Sequence, residues 1–328
     1  MQTNDLIIDW SDIAFADKRG LKELNATFIT APREMSKTRL SQLVKRYLSR
    51  GNLILGIARE DYVLGLEDQP QFKTMRLEEA QSIVNKVHEA GLEHKLYVLV
   101  YSQRDLPYII DKITFSRIVF VNGSWYKALH LRQEFYILSS KAIPYDMVSP
   151  FVSEIEAKQY ALDHPARKIG SDRLLSKSQV IDLMGEEAKN SCAYSEFQTG
   201  VVLARKQGDK FGFIASAYNK IVPYETYAML YGASREKNFT PMNDLNHYDA
   251  IHAEVSLLIK AQKQKLDLSQ TTLFINLLPC PSCARMLAAT DIADLVYIED
   301  HSSGYAVQLL EAAGKVVSRF VPQPRPEL

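Results

Sequence analysis

Two short motifs constrain the fold of this chain most strongly, because they must bring three metal-binding side chains to one point in space. They are His252–Glu254, which reads His-Ala-Glu, and Pro279–Cys283, which reads Pro-Cys-Pro-Ser-Cys. A predicted strand lies between them, so a helix, a strand and a second helix must fold back on one another. His252, Cys280 and Cys283 are then the three protein ligands of a zinc ion that keeps its fourth position for water.

Glu254 is a poor candidate ligand and a good candidate proton carrier. Residues two apart on a helix lie roughly 200° apart, so His252 and Glu254 do not share a face. In the first turn of a helix that lines a pocket, the histidine can reach the metal while the glutamate reaches the molecule that the metal activates. A helix that opens at Cys280 would also stabilise thiolate sulfur, because the N–H groups at a helix N-terminus point outward.

Each motif alone leaves other sites open. His-Ala-Glu occurs in many helices, and Pro-Cys-x-x-Cys also suits a structural zinc site or a redox pair. A closed structural site would need a fourth protein ligand, which would have to be Cys192 or another histidine. The two motifs in this order, before and after a strand, match the signature H-x-E…P-C-x-x-C of the zinc-dependent nucleobase deaminases.

The composition is that of a soluble globular chain with room for two domains. Of 328 residues, 46% are hydrophobic and 24% are charged. There is no apolar run of membrane-spanning length, the N-terminus lacks the pattern of a signal peptide, and three cysteines indicate a reducing compartment, so we expect a cytoplasmic protein. The 39 basic residues balance the 39 acidic ones, which makes long nucleic acid an unlikely partner.

Residues 1–163 alternate predicted strands and helices, which indicates an α/β domain with a parallel sheet. Strands are predicted at 26–30, 53–58, 96–101 and 118–121, and helices at 40–48 and 77–90. The loop 31–38 has the spacing of the phosphate-binding pattern G-x-x-x-x-G-K-[ST], but Ala31 and Ser36 replace both glycines. Nucleotide binding by Ser36, Lys37 and Thr38 is one reading, and a helix that Ser36 caps is the other.

Residues 164–328 are predicted to form a second domain. In order, we predict a helix at 176–190, a hairpin of strands at 200–204 and 211–217, an irregular segment at 224–249, a helix at 251–262, a strand at 273–277, a helix at 283–290, a strand at 295–298, a helix at 305–313 and a strand at 315–317. This order of elements, with the two motifs in it, resembles the cytidine deaminase superfamily. The resemblance implies a three-layer α/β/α domain with a mixed sheet, and it covers the C-terminal half only.

Within the superfamily the chain is most similar to the deoxycytidylate (dCMP) deaminases. Ser191-Cys192 ahead of 199–202 is similar to the segment before that family's first strand, and Ala217-Tyr218-Asn219 is similar to its Gly-Tyr-Asn. Ala217 and Lys220 replace the glycines that flank the family's Tyr-Asn. Free cytidine deaminases usually carry N-x-E after the second strand, which is broken here, and RNA adenosine deaminases place Glu where this chain has Leu278.

The resemblance implies zinc-dependent hydrolytic deamination of a cytosine nucleotide, most simply dCMP to dUMP, by a homo-oligomer. Zinc-bound hydroxide would attack C4 of the base while Glu254 carries protons to N3 and to the departing ammonia. Asn219 and Ala253 are expected to contact the substrate. Three alternatives stay open: a deaminase of another cytosine nucleoside, nucleotide or nucleic-acid base; an inactive zinc-stabilised binding or regulatory module; and a deaminase regulated by a triphosphate bound at 36–38.

Overall fold

The computed structural model describes residues 6–14, 21, 24–69, 72–125, 129–163, 165–191, 198–221, 250–300 and 303–322. They belong to two compact units, one within residues 1–165 and the other within residues 166–223 and 249–328. The segment 224–249 and Cys192 lie outside the described residues. That each unit folds as an independent domain, with a boundary near residue 163, stays a prediction. No helix in the described ranges has both the length and the apolar character needed to span a bilayer.

The first unit is built on a sheet of six described strands. They are β1 (Ile7–Asp9), β2 (Thr27–Thr30), β3 (Leu53–Ala58), β4 (Leu96–Tyr101), β5 (Arg117–Val121) and β6 (Tyr145–Val148), in the order β1-β4-β3-β2-β5-β6. All the neighbouring pairs are parallel, which confirms the predicted parallel sheet. The four predicted strands are almost wholly buried on both faces, as is typical of a parallel sheet.

Helices connect these strands. They are α1 (Trp10–Ile13), α2 (Lys37–Leu48), α3 (Leu77–Glu89), α4 (Leu106–Lys112), α5 (Gln133–Lys141) and α6 (Glu154–Asp163), with 3-10 turns at Gln103–Asp105 and Leu129–Leu131. The predicted helices α2 and α3 are confirmed. In α2 the buried side chains recur at helical spacing, which is why this helix could be predicted. The helix α4 was not predicted, because its seven residues give too short a periodic signal.

The second unit contains a mixed sheet of five described strands. The strands of this unit are β7 (Gly200–Gln207), β8 (Lys210–Tyr218), β9 (Lys220–Ile221), β10 (Ala250–Ile251), β11 (Thr271–Leu277), β12 (Asp294–Glu299) and β13 (Val316–Arg319). The sheet order is β13-β12-β11-β7-β8, and β9 pairs with β10 separately. β7 is antiparallel to both β8 and β11, whereas β11, β12 and β13 are parallel, so the predicted mixed sheet is confirmed.

Helices cover both faces of this sheet. They are α7 (Lys177–Ala188), α8 (Ala253–Gln264), α9 (Pro281–Ala288) and α10 (Tyr305–Ala312). Alternate residues of β7 point to opposite faces: Val202 packs with residues of α7, whereas Val201 and Leu203 pack with residues of the other three helices. The predicted three-layer α/β/α arrangement is therefore confirmed.

The directions of three strands determine where a site can lie. Because β7 runs antiparallel to β8 and β11, its first residues lie beside the last residues of both neighbours. Gly200 opens β7 so close to α7 that a Cβ atom would lie 2.4 Å from the carbonyl oxygen of Met184. The chain that leaves β11 at this end of the sheet leads directly into the Cys-x-x-Cys turn.

Candidate metal centre

Two helix N-termini hold the three predicted metal ligands. His252 is the N-cap residue of α8 and has an extended backbone, so this helix begins two residues later than predicted. Cys280 is the N-cap residue of α9, and Pro281 occupies the first turn, so this helix begins two residues earlier than predicted. Cys283 lies in the same turn and is buried.

The ligand atoms of His252, Cys280 and Cys283 lie within 4.8 Å of one another, and theirs is the one such group of His, Cys, Asp or Glu side chains in the described part of the chain. Nδ1 of His252 lies 3.6 Å from Sγ of Cys280 and 3.4 Å from Sγ of Cys283. In a tetrahedral site with Zn–S near 2.3 Å and Zn–N near 2.0–2.1 Å, the N···S edge would be about 3.6 Å. The three residues therefore fit a zinc ion, with Nδ1 as the imidazole ligand.

The hydrogen bond between the two thiols shifts their pKa values in opposite directions. The pKa of Cys280 is lowered to about 3, first by the hydrogen bond from Cys283 and then by the one from His252. The same thiol–thiol hydrogen bond, together with burial, raises the pKa of Cys283. The backbone N–H of Cys283 also donates to Sγ of Cys280 over 3.5 Å. The first turn of α9 thus favours thiolate sulfur at Cys280, as predicted for a helix that opens at this turn.

Glu254 lies in the first turn of α8 with only 3% of its surface exposed. Burial raises the pKa of its carboxyl group, and hydrogen bonding to its own backbone and the charge of His252 only partly oppose this. It lies close enough to Cys283 for a side-chain hydrogen bond. A carboxyl group held beside a candidate metal site, with a raised pKa and no place among the three ligands, is suited to accept and return protons.

The predicted substrate contacts lie at the same end of the sheet. Ala253 is fully buried between the histidine and the glutamate. The side-chain Oδ1 of Asn219 accepts a hydrogen bond from the N–H of Thr199 at 2.8 Å, and the N–H of Asn219 donates to the carbonyl oxygen of Thr199 at 3.0 Å. Asn219 therefore holds the chain that enters β7. Its contact with a sugar, and that of Ala253 with a base, stay predictions.

Sequence reasoning missed Asn276, at the end of β11. Its side chain makes two hydrogen bonds to the segment before β7, to Gln198 and Gly200. The available signal was one amide side chain in the strand 271–277, four residues before Cys280. Its partners could not be read from the chain because they lie 76 and 78 residues away.

The loop 31–38 of the first unit is bonded differently from a phosphate-binding loop. The N–H of Glu34 donates to the carbonyl oxygen of Lys73 at 2.7 Å, and the N–H of Ser36 donates to that of Pro150 at 3.0 Å. A phosphate loop directs such N–H groups at its ligand. Ser36 caps α2 by accepting the N–H of Arg39 at 3.0 Å. Nucleotide binding by Ser36, Lys37 and Thr38 stays a prediction.

Comparison with known proteins finds a family model that matches the part of the chain that contains this site. Residues 175–299 match a family model described as the cytidine and deoxycytidylate deaminase zinc-binding region. The match includes all three candidate ligands, Glu254 and Asn219, and leaves the first unit outside it. The predicted resemblance of the C-terminal half is thereby confirmed.

Individual relatives match over shorter stretches. The chain is 27% identical over 94 residues to a probable deoxycytidylate deaminase of Drosophila melanogaster and 35% identical over 51 residues to the deoxycytidylate deaminase of Enterobacteria phage T4. These matches take in 27% and 16% of this chain, and 45% and 26% of the relatives, so less than half of each relative is spanned. The crystal structure of dCMP deaminase from the cyanophage S-TIM5 in complex with dCMP and dUMP aligns with a TM-score of 0.35 at 17% identity, over 44% of this chain and 96% of that one.

Proposed function

We propose that the second unit, which carries the match to the cytidine and deoxycytidylate deaminase zinc-binding region, catalyses the hydrolytic deamination of a cytosine nucleotide, most simply dCMP to dUMP. The observation that carries this proposal is a buried carboxyl group, Glu254, beside three ligand atoms at the spacing of one zinc ion. A closed structural zinc site has no use for such a carboxyl group.

His252, Cys280 and Cys283 would hold the zinc ion. When bound, zinc lowers the pKa of water from 15.7 toward about 7 and so supplies a nucleophile at neutral pH. Two thiolates and a neutral imidazole cancel the charge of the metal and weaken this effect. The N–H that Cys283 donates to Sγ of Cys280 withdraws negative charge from the sulfur and opposes that weakening.

Glu254 would move two protons during the reaction. As the oxygen of water forms its bond to C4 of the base, Glu254 accepts a proton from that water and delivers it to N3. It then accepts the remaining hydroxyl proton and delivers it to the amino nitrogen. The C4–N bond breaks, ammonia leaves, and the C4–O bond becomes the carbonyl group of uracil. Cytosine and water are thus converted to uracil and ammonia, and Glu254 returns to its starting state.

The choice of dCMP is supported by the deoxycytidylate deaminases among the relatives and by the balance of charge, 39 basic against 39 acidic residues. Tight binding to a nucleic-acid backbone usually needs a basic surface. Asn219, which lies at the same end of the sheet as the ligands, is the candidate contact to the sugar. The homo-oligomeric state and the cytoplasmic location expected from the sequence stay predictions.

A substrate screen tests this proposal. The zinc-loaded full chain would be incubated separately with cytidine, deoxycytidine, dCMP, dCTP and a cytosine-containing single-stranded oligonucleotide, and ammonia release would be measured. We expect the largest kcat/KM with dCMP and one dUMP formed for each ammonia released. If another cytosine compound gave a larger kcat/KM, that compound would replace dCMP as the proposed substrate. If zinc-loaded protein released no ammonia from any of the five, the deaminase proposal would be wrong.

A further inference from the structure

We propose that Asn276 is a positioning residue of the candidate active site, which fixes the segment Gln198–Gly200 beside Asn219. The residue belongs to neither of the two motifs. Its effect on catalysis rests on the proposed function, whereas its effect on the position of the segment does not.

The course of β11 creates a gap that Asn276 fills. β11 pairs with β7 from Thr271 as far as Ile275, opposite Val201, but it stays paired with β12 as far as Leu277. Beyond Ile275 the backbone of β11 therefore leaves β7 and leads toward Cys280. The chain that enters β7 therefore has no backbone partner on the β11 side beyond Val201, although it stays bonded to the β8 side.

The side chain of Asn276 takes the place of the missing backbone. Its Nδ2 donates to the carbonyl oxygen of Gln198 at 2.7 Å, and its Oδ1 accepts the N–H of Gly200 at 2.9 Å. A single amide thus supplies one donor and one acceptor to residues two apart, so hydrogen bonding from β11 to the chain that enters β7 continues although backbone pairing has ended. The ladder is thereby extended beyond the last backbone pair.

Asn219 holds the residue between these two. Both backbone groups of Thr199 are bonded to Asn219, one to its side chain and one to its backbone. Behind the segment, Gly200 lies against the backbone of Met184 and Ala188 in α7. Three consecutive residues are thus hydrogen-bonded to two asparagines, one directly after β8 and one in β11, and α7 lies behind Gly200.

This arrangement links the wall of the site to the metal turn. Asn276 lies four residues before Cys280. The same stretch of chain therefore carries a candidate metal ligand and positions the segment Gln198–Gly200, which is hydrogen-bonded to Asn219. Loss of the Asn276 side chain would leave the ligands in place and release the segment. Binding of the nucleotide should therefore weaken more than the chemical step.

The test compares Asn276→Leu, which keeps the size of the side chain and removes both hydrogen bonds, with Thr272→Val as a matched control. Oγ1 of Thr272 donates to Asp294 at 3.2 Å near the other end of β11, so this control also removes a hydrogen bond from the same strand. Zinc content, KM and kcat for dCMP, and hydrogen exchange of the Thr199 and Gly200 amides would be measured for both variants and the wild type.

We expect Asn276→Leu to bind one zinc, to raise KM by about ten- to hundredfold with a much smaller change in kcat, and to speed exchange of the Gly200 amide. Thr272→Val should leave KM and this exchange unchanged. The further variant Asn276→Asp keeps the acceptor for Gly200 and loses the donor to Gln198, so its KM should lie between those of the wild type and Asn276→Leu.

Unchanged KM and unchanged exchange in both Asn276 variants would overturn the proposal. So would loss of zinc together with equal losses in both kinetic constants, because Asn276 would then only support the fold. If the wild type deaminates no cytosine compound, the proposed function fails separately, and the exchange measurement alone decides: faster Gly200 exchange in Asn276→Leu than in Thr272→Val supports the positioning role, and equal exchange refutes it.

Discussion

Two helices of this chain, α2 and α9, begin at a side-chain cap soon after a buried strand, and they differ in what that cap can do. Oγ of Ser36 accepts the N–H of Arg39 at the start of α2, and Sγ of Cys280 accepts the N–H of Cys283 at the start of α9. Both caps reach the N–H three residues later. At α2 the capping serine only satisfies the helix N-terminus. At α9 the capping residue Cys280 is itself a candidate metal ligand, and so is Cys283, whose N–H it accepts.

The loops before the two helices explain the difference. Before α2, the N–H groups of Glu34 and Ser36 are bonded to the carbonyl oxygens of Lys73 and Pro150, where a phosphate loop would hold them free for a ligand. At the start of α9, the chain carries two candidate sulfur ligands, whose Sγ atoms and the imidazole nitrogen of His252 lie within 4.8 Å of one another. A phosphate-binding motif depends on the backbone freedom that glycine supplies, and both of its glycines are replaced here, whereas a zinc motif depends only on its ligand atoms.

The largest effect is expected for Cys283→Ser, which should remove the metal binding that distinguishes the start of α9 from the start of α2. A serine oxygen in place of sulfur removes one of three ligands, so zinc should be lost together with all measurable deamination. Ser282→Ala is the matched control, because Ser282 is the exposed neighbour in the same turn. Metal analysis of both purified variants checks this. A Cys283→Ser protein that kept stoichiometric zinc would show that the metal lies elsewhere.

The next largest effect is expected for Glu254→Gln, which separates metal binding from proton transfer. Zinc should remain bound, and kcat should fall by about 10²- to 10⁴-fold because the proton carrier is lost. Glu187→Gln is the control: Glu187 is also a buried glutamate of the second unit, but it belongs to α7, the helix on the other face of the sheet. Steady-state kinetics at fixed zinc content compare the two. Equal activity of the two variants would remove Glu254 from the mechanism.

A smaller effect is expected at the cap of α2. Ser36→Ala should lower the free energy of unfolding by about 1 kcal/mol because the N–H of Arg39 loses its acceptor.

Lys37→Ala should leave any thermal shift caused by dCTP as it is in the wild type. Denaturant unfolding and thermal shift measurements test the two statements. A dCTP-induced shift that is present in the wild type and absent in Lys37→Ala would establish nucleotide binding at 36–38.

The smallest effect concerns the pH dependence of stability. Burial raises the pKa of Glu187 above its ordinary value of 4.5, against the opposing effect of Ser216 and Lys260. The folded protein therefore keeps this proton to a higher pH than the unfolded chain does. The stabilisation is complete below the ordinary value and is lost as the pH rises through the folded-state pKa.

The stability of the wild type relative to Glu187→Gln should accordingly decrease as the pH is raised from 4.5 toward 7. Urea unfolding of both proteins at several pH values measures this difference, in which effects common to the two proteins cancel. A difference that grew in favour of the wild type with rising pH would show that attraction to Lys260 outweighs burial.

The parts of this molecule that could be predicted are those with a local physical signal. The candidate zinc ligands and Glu254 could be named from the sequence because few residue types bind zinc, and β3 and β4 could be predicted because they are continuous apolar runs. The strands β1 and β6 were missed because three or four residues at the margin of a sheet carry little pattern. The bonding of the loop 31–38 and of Asn276 depends on partners distant in the chain, which no local pattern reveals.

The most direct test of the central claim is X-ray absorption at the zinc edge on the zinc-loaded full chain. An open catalytic site predicts two sulfur ligands near 2.3 Å and two lighter ligands near 2.0–2.1 Å, with the scattering pattern of a single imidazole. Three sulfur ligands, or two sulfurs with two imidazoles, would mean that a fourth side chain closes the site, and the proposal of a hydrolytic deaminase would be contradicted.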